Sequence, residues 1–214
     1  MDFAKFFQYI ASGAAYTVGV TLIALPFGLV LGLILSLLHV YGGKVFSRIM
    51  AVYSTIMRGI PPIVLLFILY FMVSGNINLS PFWAGSVSLG IVSSAYQMEI
   101  IRGALLSVSG SQMMAARSIG MSRMQAIQHI IIPQALRLAI PPWSNEAAIV
   151  IKDSSLVYAL GVPEILRRAQ LISASTQEPF LAYITAGLIY FALVFITNRL
   201  LNRLEKRLAI PANP

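Results

Sequence analysis

The stretch 111-SQMMAARSIGMSRMQAIQHIIIP-133 is polar and helix-forming, and it stands between two strongly apolar blocks. Ser111 is placed to cap a short helix, and Gly120 to supply the left-handed residue that ends it. The run 122-SRMQ-125 is a capping-box pattern that opens a second helix. Pro133 is tolerable in the first turn of the segment that follows. The stretch therefore predicts a helix, a tight glycine turn and a second helix. Ala115 and Ala116 leave a small-residue face for close approach, and Met113, Met114, Met121 and Met124 supply a flexible apolar lining. Two readings are open: an amphipathic pair resting on a bilayer surface, or a docking surface for a partner protein.

The surrounding chain limits the choice. Of its 214 residues, 58% are hydrophobic and only 10% charged, against about 25% charged in soluble domains. Such a chain cannot clothe a water-facing surface, which makes it an all-α polytopic membrane protein. With no Cys, disulfide and thiolate chemistry are excluded. The formal charge of +8 fits basic residues flanking membrane spans better than nucleic-acid binding. The N-terminal run lacks the compact basic region and small-residue cleavage site of a removed signal peptide.

About 20 apolar residues cross a bilayer core. By that measure five transmembrane helices are expected, near residues 17–39, 46–73, 82–107, 134–152 and 180–199. The loop 109–132 lies between the third and fourth. One side of this arrangement carries nine Lys and Arg (Lys44, Arg48, Arg117, Arg123, Arg137, Arg199, Arg203, Lys206 and Arg207). The other carries four, Lys5, Lys152, Arg167 and Arg168. The richer side is expected to be cytoplasmic, with the N-terminus outside and the C-terminus inside. No internal repeat is evident, so any two-fold symmetry has to come from a second chain.

Two spans are irregular. Pro61-Pro62 and Pro141-Pro142 each remove two backbone donors and predict breaks, which are tolerated at membrane depth only inside protein or beside a water-filled cavity. Arg58, Glu99, Arg102 and Glu146 fall within spans, and Asp153 at the end of one. Charged groups at such depth face a pathway or pair with one another. Glu99 and Arg102, three apart on one helix face, also read as a structural ion pair with Arg58 beside them, and Lys152 with Asp153 as an interfacial pair. Together the charges and proline pairs favour a polar translocation route. The motif 28-GLVLG-32 reads as a close helix-packing face. The segment 163-PEILRRAQLI-172 reads as a short extracytoplasmic amphipathic helix beginning at Pro163.

No GxxxxGK[ST] phosphate loop, HExxH or GxSxG occurs, and the two histidines, His39 and His129, are far apart. Neither ATP hydrolysis by this chain, nor a His-based metal site, nor recognisable nucleophilic catalysis is expected. A pump with these absences needs its ATPase elsewhere. The rival reading is a small channel, which would need polar spans but no cytoplasmic helix–Gly–helix.

The run 115-AARSIGMSRMQAIQHIIIP-133 resembles the EAA loop of ABC importer permeases, with Ala115, Ala116, Gly120, Ile130 and Pro133 at the matching spacing and Ile132 in place of the usual Leu. The pieces 58-RGIPPIVLLFILYF-71, 95-AYQMEIIRGALLSV-108, 133-PQALRLAIPPWSN-145 and 152-KDSSLVYALGVPEI-165 are similar, in order, to the polar amino-acid branch of that family. Two further positions depart: Ser111 stands where that family has Gly, and Met114 where it has the Glu of EAA. Met114 removes an anion from a helix's first turn, where the dipole favours one.

The resemblance implies a single permease domain over residues 1–214, in a bacterial cytoplasmic membrane. It implies pairing with a second permease subunit, two cytoplasmic ABC ATPase subunits that hold ATP and Mg, and an extracytoplasmic solute-binding protein. The cargo would be a polar amino acid, basic ones included, carried by alternating access. The chain itself would bind no cofactor and no nucleic acid; lipid surrounds it. ATPase coupling would fall to Gln112, Met114, Ala115, Ala116, Gly120, Met121 and Ser122. Substrate contact is expected from Glu99, Asn145, Glu146 and Asp153, with Tyr96, Gln97, Arg58 and Arg102 nearby. An amino acid carries both charges, so its site needs both signs or helix-end dipoles in a dry pocket.

Overall fold

The computed structural model describes residues 3–74, 78–108 and 110–208. Ser109, at the start of the expected loop, and the chain ends 1–2 and 209–214 lie outside the described residues. Every regular element described is helical, the form that satisfies backbone groups within one segment in hydrocarbon. In order they are α1 (Phe3–Ala11), α2 (Ala14–Tyr41), α3 (Gly43–Gly59), α4 (Pro62–Ser74), α5 (Pro81–Ser107), α6 (Gly110–Ser118), α7 (Arg123–Ala126), α8 (Ile132–Asp153), α9 (Ile165–Thr176) and α10 (Pro179–Leu208). A π turn, Ile127–Ile131, joins α7 to α8, and a 3-10 turn, Ser154–Leu160, follows α8.

α5 is the axis of the bundle. It buries Ser86, Ser88, Ser93, Ser94 and Gln97 alongside Leu89, Val92 and Met98, and α2, α3, α4 and α8 pack around it. α2 crosses α5 through the two glycines of GLVLG. A Cβ on Gly28 would stand 2.6 Å from Gln97 Nε2, and one on Gly32 would stand 2.9 Å from the Met98 nitrogen. From the other side, a Cβ on Gly90 would meet the Ala24 carbonyl at 3.0 Å. The two backbones are therefore in near contact. Small residues enable this packing where lipid removes any hydrophobic drive to associate.

The expected second span is bent rather than straight. α3 and α4 meet at 111°. Ile60, which precedes Pro61, is extended at φ −103° and ψ 138°, as a residue before proline prefers. The Pro61 carbonyl then accepts from the Val64 and Leu65 amides and starts α4. The expected break at Pro141-Pro142 does not occur: α8 runs through both prolines. Its packing against α5 and α10 holds it, and the Ser144 hydroxyl donates to the Ile140 carbonyl beside the prolines. Neighbouring helices and Ser side chains are what allow proline inside a membrane helix.

The opening stretch folds as a helix, a turn and a helix. Gly120 has φ +88°. The Met121 amide donates to the Ala116 carbonyl and the Gly120 amide to that of Arg117, which is a Schellman end. Ser122 caps α7, and both capping-box bonds form with Gln125. Ser111 is not the cap: α6 begins at Gly110, so Ser111 lies in its first turn. Pro133 can offer no amide, and its ring would press on the carbonyl four residues back. The π turn lies immediately before it, with Ile132 donating to the Ile127 carbonyl. α7, the π turn and α8 thus form one unbroken rod from Arg123 to Asp153.

The bundle has two distinct ends. At one, Arg123 lies over the Tyr41 ring at 5.8 Å. There Ile101, Leu105, Ile131 and Ala135 form a core with Leu37 and Val40. At the other, Phe6, Ile10, Ile165, Ile172 and Ala186 join α1, α9 and α10. α9 starts at Ile165, two residues later than the sequence suggests. Its cap is Glu164, whose carboxylate accepts from the Leu166 and Arg167 amides.

By length and composition, two described helical stretches suffice to cross a membrane, Phe3–Tyr41 and Pro179–Arg207, and a third if the bent α3–α4 pair is one span. α5 and α8 are not among these stretches: they carry Glu99, Arg102, Glu146 and Asp153, and other helices pack against both.

Gly28→Leu drives a side chain into Gln97 and should destabilise the chain by about 3 kcal/mol. It is expected to lower the thermal unfolding midpoint in detergent, whereas Gly103→Ala, where a Cβ meets nothing within 4 Å, leaves it unchanged or higher. Ser122→Ala removes one capping bond, worth about 1 kcal/mol, and should raise hydrogen exchange at the Gln125 amide.

Candidate translocation site

Two helical stripes face each other across a cavity of about 200 Å³. Leu89, Val92, Ser93 and Tyr96 come from α5, and Glu146, Ile149, Val150 and Asp153 from α8. Residues three to four apart on a helix share one face, so each helix gives a continuous wall. The walls are mostly aliphatic and the polar groups are few. Glu146 is only 4% exposed, and the Ser93 hydroxyl donates to its Oε1 at 2.7 Å.

Behind Ser93 lies a hydrogen-bonded chain. Gln97 Nε2 donates to the Ser93 hydroxyl at 3.0 Å and to the Leu25 carbonyl at 3.2 Å. Trp143 Nε1 donates to Gln97 Oε1 at 2.8 Å. The chain orients the Ser93 hydroxyl and so fixes the Glu146 carboxylate. Among the described residues the one ion pair is Arg102 with Glu99. Neither Glu146 nor Asp153 has a cation within ion-pair distance.

A second, more open cavity of about 580 Å³ lies between α2, α3 and α5. His39, Ser54, Thr55, Arg58, Glu99 and Arg102 line it. Arg102 Nε donates to Glu99 Oε2 at 2.8 Å. Arg58 donates to the Ser54 hydroxyl at 3.4 Å, and its guanidinium lies 5.6 Å from the centre of the Tyr96 ring. It forms no ion pair with Glu99. Tyr96 walls the first cavity and Arg58 the second, so this cation–π contact joins them. His39 Nδ1 is buried there without a hydrogen-bond partner.

The residues singled out from sequence therefore separate. Glu146, Asp153 and Tyr96 share the first cavity; Glu99, Arg58 and Arg102 share the second. Gln97 lines neither, because it is fully buried and its amide is engaged on both atoms. Asn145 is on the exposed side of α8 and also lines neither. Sequence reasoning passed over Ser93, Ser54, His39 and Trp143. Ser93 had a signal: it lies three before Tyr96 and four before Gln97.

Glu164 is the other buried carboxylate, at 0% exposure. It takes the Tyr190 hydroxyl in addition to its two amides. Burial pushes its carboxyl up from the ordinary value, against three donors that favour the ionised form. A Cβ on Gly13 would lie 2.6 Å from the Glu164 carbonyl carbon, so the α1–α2 corner sits directly on this cap.

On the loop, Gln112, Met114, Ala115, Gly120 and Ser122 are exposed, Met121 is half-buried and Ala116 is buried. Met114 is 67% exposed, and Ile119 and Met124 are also in the open. Among the described residues no group of three or more His, Cys, Asp or Glu has the arrangement of a metal site.

Residues 9–210 match the family of binding-protein-dependent transport system inner membrane components. The L-cystine transport system permease protein TcyB of Bacillus subtilis (strain 168) is 34% identical over 206 residues, covering 95% of this chain and 88% of that protein. The glutamine transport system permease protein GlnP of Escherichia coli (strain K12) is 33% identical over 204 residues, 94% of this chain and 93% of that one. In a crystal structure of an amino acid ABC transporter with histidines, one chain has 33% identity and a TM-score of 0.85, over 96% of each chain. An inward-facing MetNI methionine ABC transporter shares the fold, with a TM-score of 0.84 at 19% identity, over 95% of this chain and 97% of that one. With near full-length matches of this kind, the chain belongs to the family of binding-protein-dependent transport system inner membrane components, as an amino-acid ABC transporter permease.

Proposed function

We propose that this permease carries a basic amino acid through the cavity between α5 and α8. The observation that carries the reading is a pair of carboxylates, Glu146 and Asp153, in an aliphatic-walled cavity with no cation paired to either. Carboxylates without an ion-pair partner in such a place are costly to ionise, and a bound cation relieves that cost. A basic amino acid brings two positive groups and one carboxylate. The two carboxylates match the former, and Arg58, across the Tyr96 ring, matches the latter. The second cavity, with Arg58, Arg102 and Glu99, continues the route.

The same reading assigns the rest of the assembly. The α6–α7 end faces the cytoplasm, with the N-terminus outside, because the basic residues concentrate at that end. Gln112, Met114, Ala115, Gly120 and Ser122 dock on an ATPase subunit that holds ATP and Mg, with Ala116 packed beneath them. A second permease subunit completes the route, and a solute-binding protein delivers cargo at the α1–α9 end. The rod from Arg123 to Asp153 links docking surface to cavity in one helix, which suits coupling by alternating access.

In vesicles reconstituted with the ATPase and binding-protein partners, Glu146→Gln should lower arginine uptake by at least about ten-fold. The assembled complex should remain intact by size-exclusion chromatography. Undiminished arginine uptake, or equal wild-type uptake of a neutral amino acid, would rule out the acidic pair as the cargo site. Gly120→Val puts a β-branched residue at φ +88°, which such residues resist. It should reduce co-purification with the ATPase without changing membrane insertion; undiminished co-purification would count against docking at this turn.

A further inference from the structure

An apolar groove of about 280 Å³ opens between α8 and α10 at the α6–α7 end of the bundle. Ile101, Leu136, Ile140, Trp143, Leu201 and Leu204 line it, with Arg137 as its one charged residue. The indole N–H of Trp143 is already given to Gln97, so the ring offers the groove only carbon. α10 lies at the periphery, apolar enough to cross a membrane and mostly uncovered by other helices, which places the groove beside the bilayer.

Beside the groove, the last turns of α10 carry Arg199, Arg203, Lys206 and Arg207 against a single carboxylate, Glu205. None of these cations, nor Arg137, has an ion pair among the described residues, where Arg102–Glu99 is the one found. Arg199, Asn202, Arg203, Glu205 and Lys206 line a further concavity of about 510 Å³ on this stretch. Around the helix, Leu204 lies about 100° from Arg203 and 60° from Arg207 at 3.6 residues per turn. The leucine arc of the groove therefore adjoins the cationic arc.

We propose that the α8–α10 groove is a binding site for an anionic phospholipid. One acyl chain lies along Trp143, Leu201 and Leu204, and the phosphate headgroup meets Arg137, Arg203 and Arg207. Charge complementarity selects the occupant. A zwitterionic lipid fills the groove equally well but adds no net negative charge for the arginines. Clusters of basic residues at the cytoplasmic end of a transmembrane helix attract anionic headgroups. The inference rests on the orientation given above, since it needs this end to lie at the cytoplasmic leaflet. It does not depend on which amino acid is carried.

Trp143 is the reporter. The chain has two tryptophans, so Trp83→Phe leaves Trp143 as the only one. The full chain is assembled with its partners in phosphatidylcholine vesicles doped with either brominated phosphatidylglycerol or brominated phosphatidylcholine. The phosphatidylglycerol should quench Trp143 at lower mole fraction, by about five-fold for each cation engaged. Arg137→Gln, Arg203→Gln and Arg207→Gln together should reduce that preference to the phosphatidylcholine level. Lipid retention by the unmutated chain, measured by native mass spectrometry, should show the same preference independently of any variant. Equal quenching by the two lipids, or a preference that survives all three substitutions, overturns the proposal. So does an absence of quenching by either lipid in the assembled complex, which would mean that a protein surface covers the groove.

Discussion

The arrangement of the central helices depends on one buried amide. Gln97 reaches from α5 to the Leu25 carbonyl of α2 and accepts from Trp143 of α8. It therefore fixes three helices at one point. The glycines of α2 do more than permit close approach: Gly28 vacates the volume that the Gln97 amide occupies. In a low-dielectric interior a partly satisfied amide is costly and a fully satisfied one specifies a unique arrangement. Loss of any partner would leave the others exposed to that cost.

The same amide connects the scaffold to the cavity. Through Ser93 it orients the Glu146 carboxylate. Polar groups inside the bundle thus fall into two kinds. Those along the chain from Trp143 to Glu146 are bonded to one another and hold shape. Asp153 and Arg58 line open cavities, where a ligand or water can meet them. The rod of α7, the π turn and α8 carries Glu146 and Asp153 on the same element as the loop's second helix. Between Ser122 and Glu146 it spans about 36 Å at 1.5 Å per residue. A displacement imposed on the loop end is carried towards the carboxylates along one continuous helical element.

Much of this was legible in the sequence where the signal is local. The Schellman turn at Gly120 and the capping box at Ser122 follow from residue identity at fixed spacing. So does the Glu99–Arg102 pair, and GLVLG marked the crossing of α2 with α5. What was not legible depends on distant packing. Two adjacent prolines bend the chain by 111° at Pro61-Pro62 yet leave α8 continuous at Pro141-Pro142, where α5 and α10 flank the helix. Gln97 read as a cargo contact because its type and position suit one. Only the fold shows that α2 and α8 claim both ends of its amide. Ser93 was overlooked although its spacing sets it on one helix face with Tyr96 and Gln97, because it is one of several serines in a Gly- and Ser-rich helix.

The hydrogen-bonded chain behind the cavity also bears on how such a protein can diverge. Tyr96, Ile149 and Asp153 touch the cavity but none of them bonds to Gln97, Trp143 or Leu25. Drift at those positions can reshape the cavity while the helix crossing stays as it is. Ser93 belongs to both sets, donating forward to Glu146 and accepting from Gln97 behind. It is the position at which a lineage cannot alter what the cavity accepts without also loosening the frame that holds it.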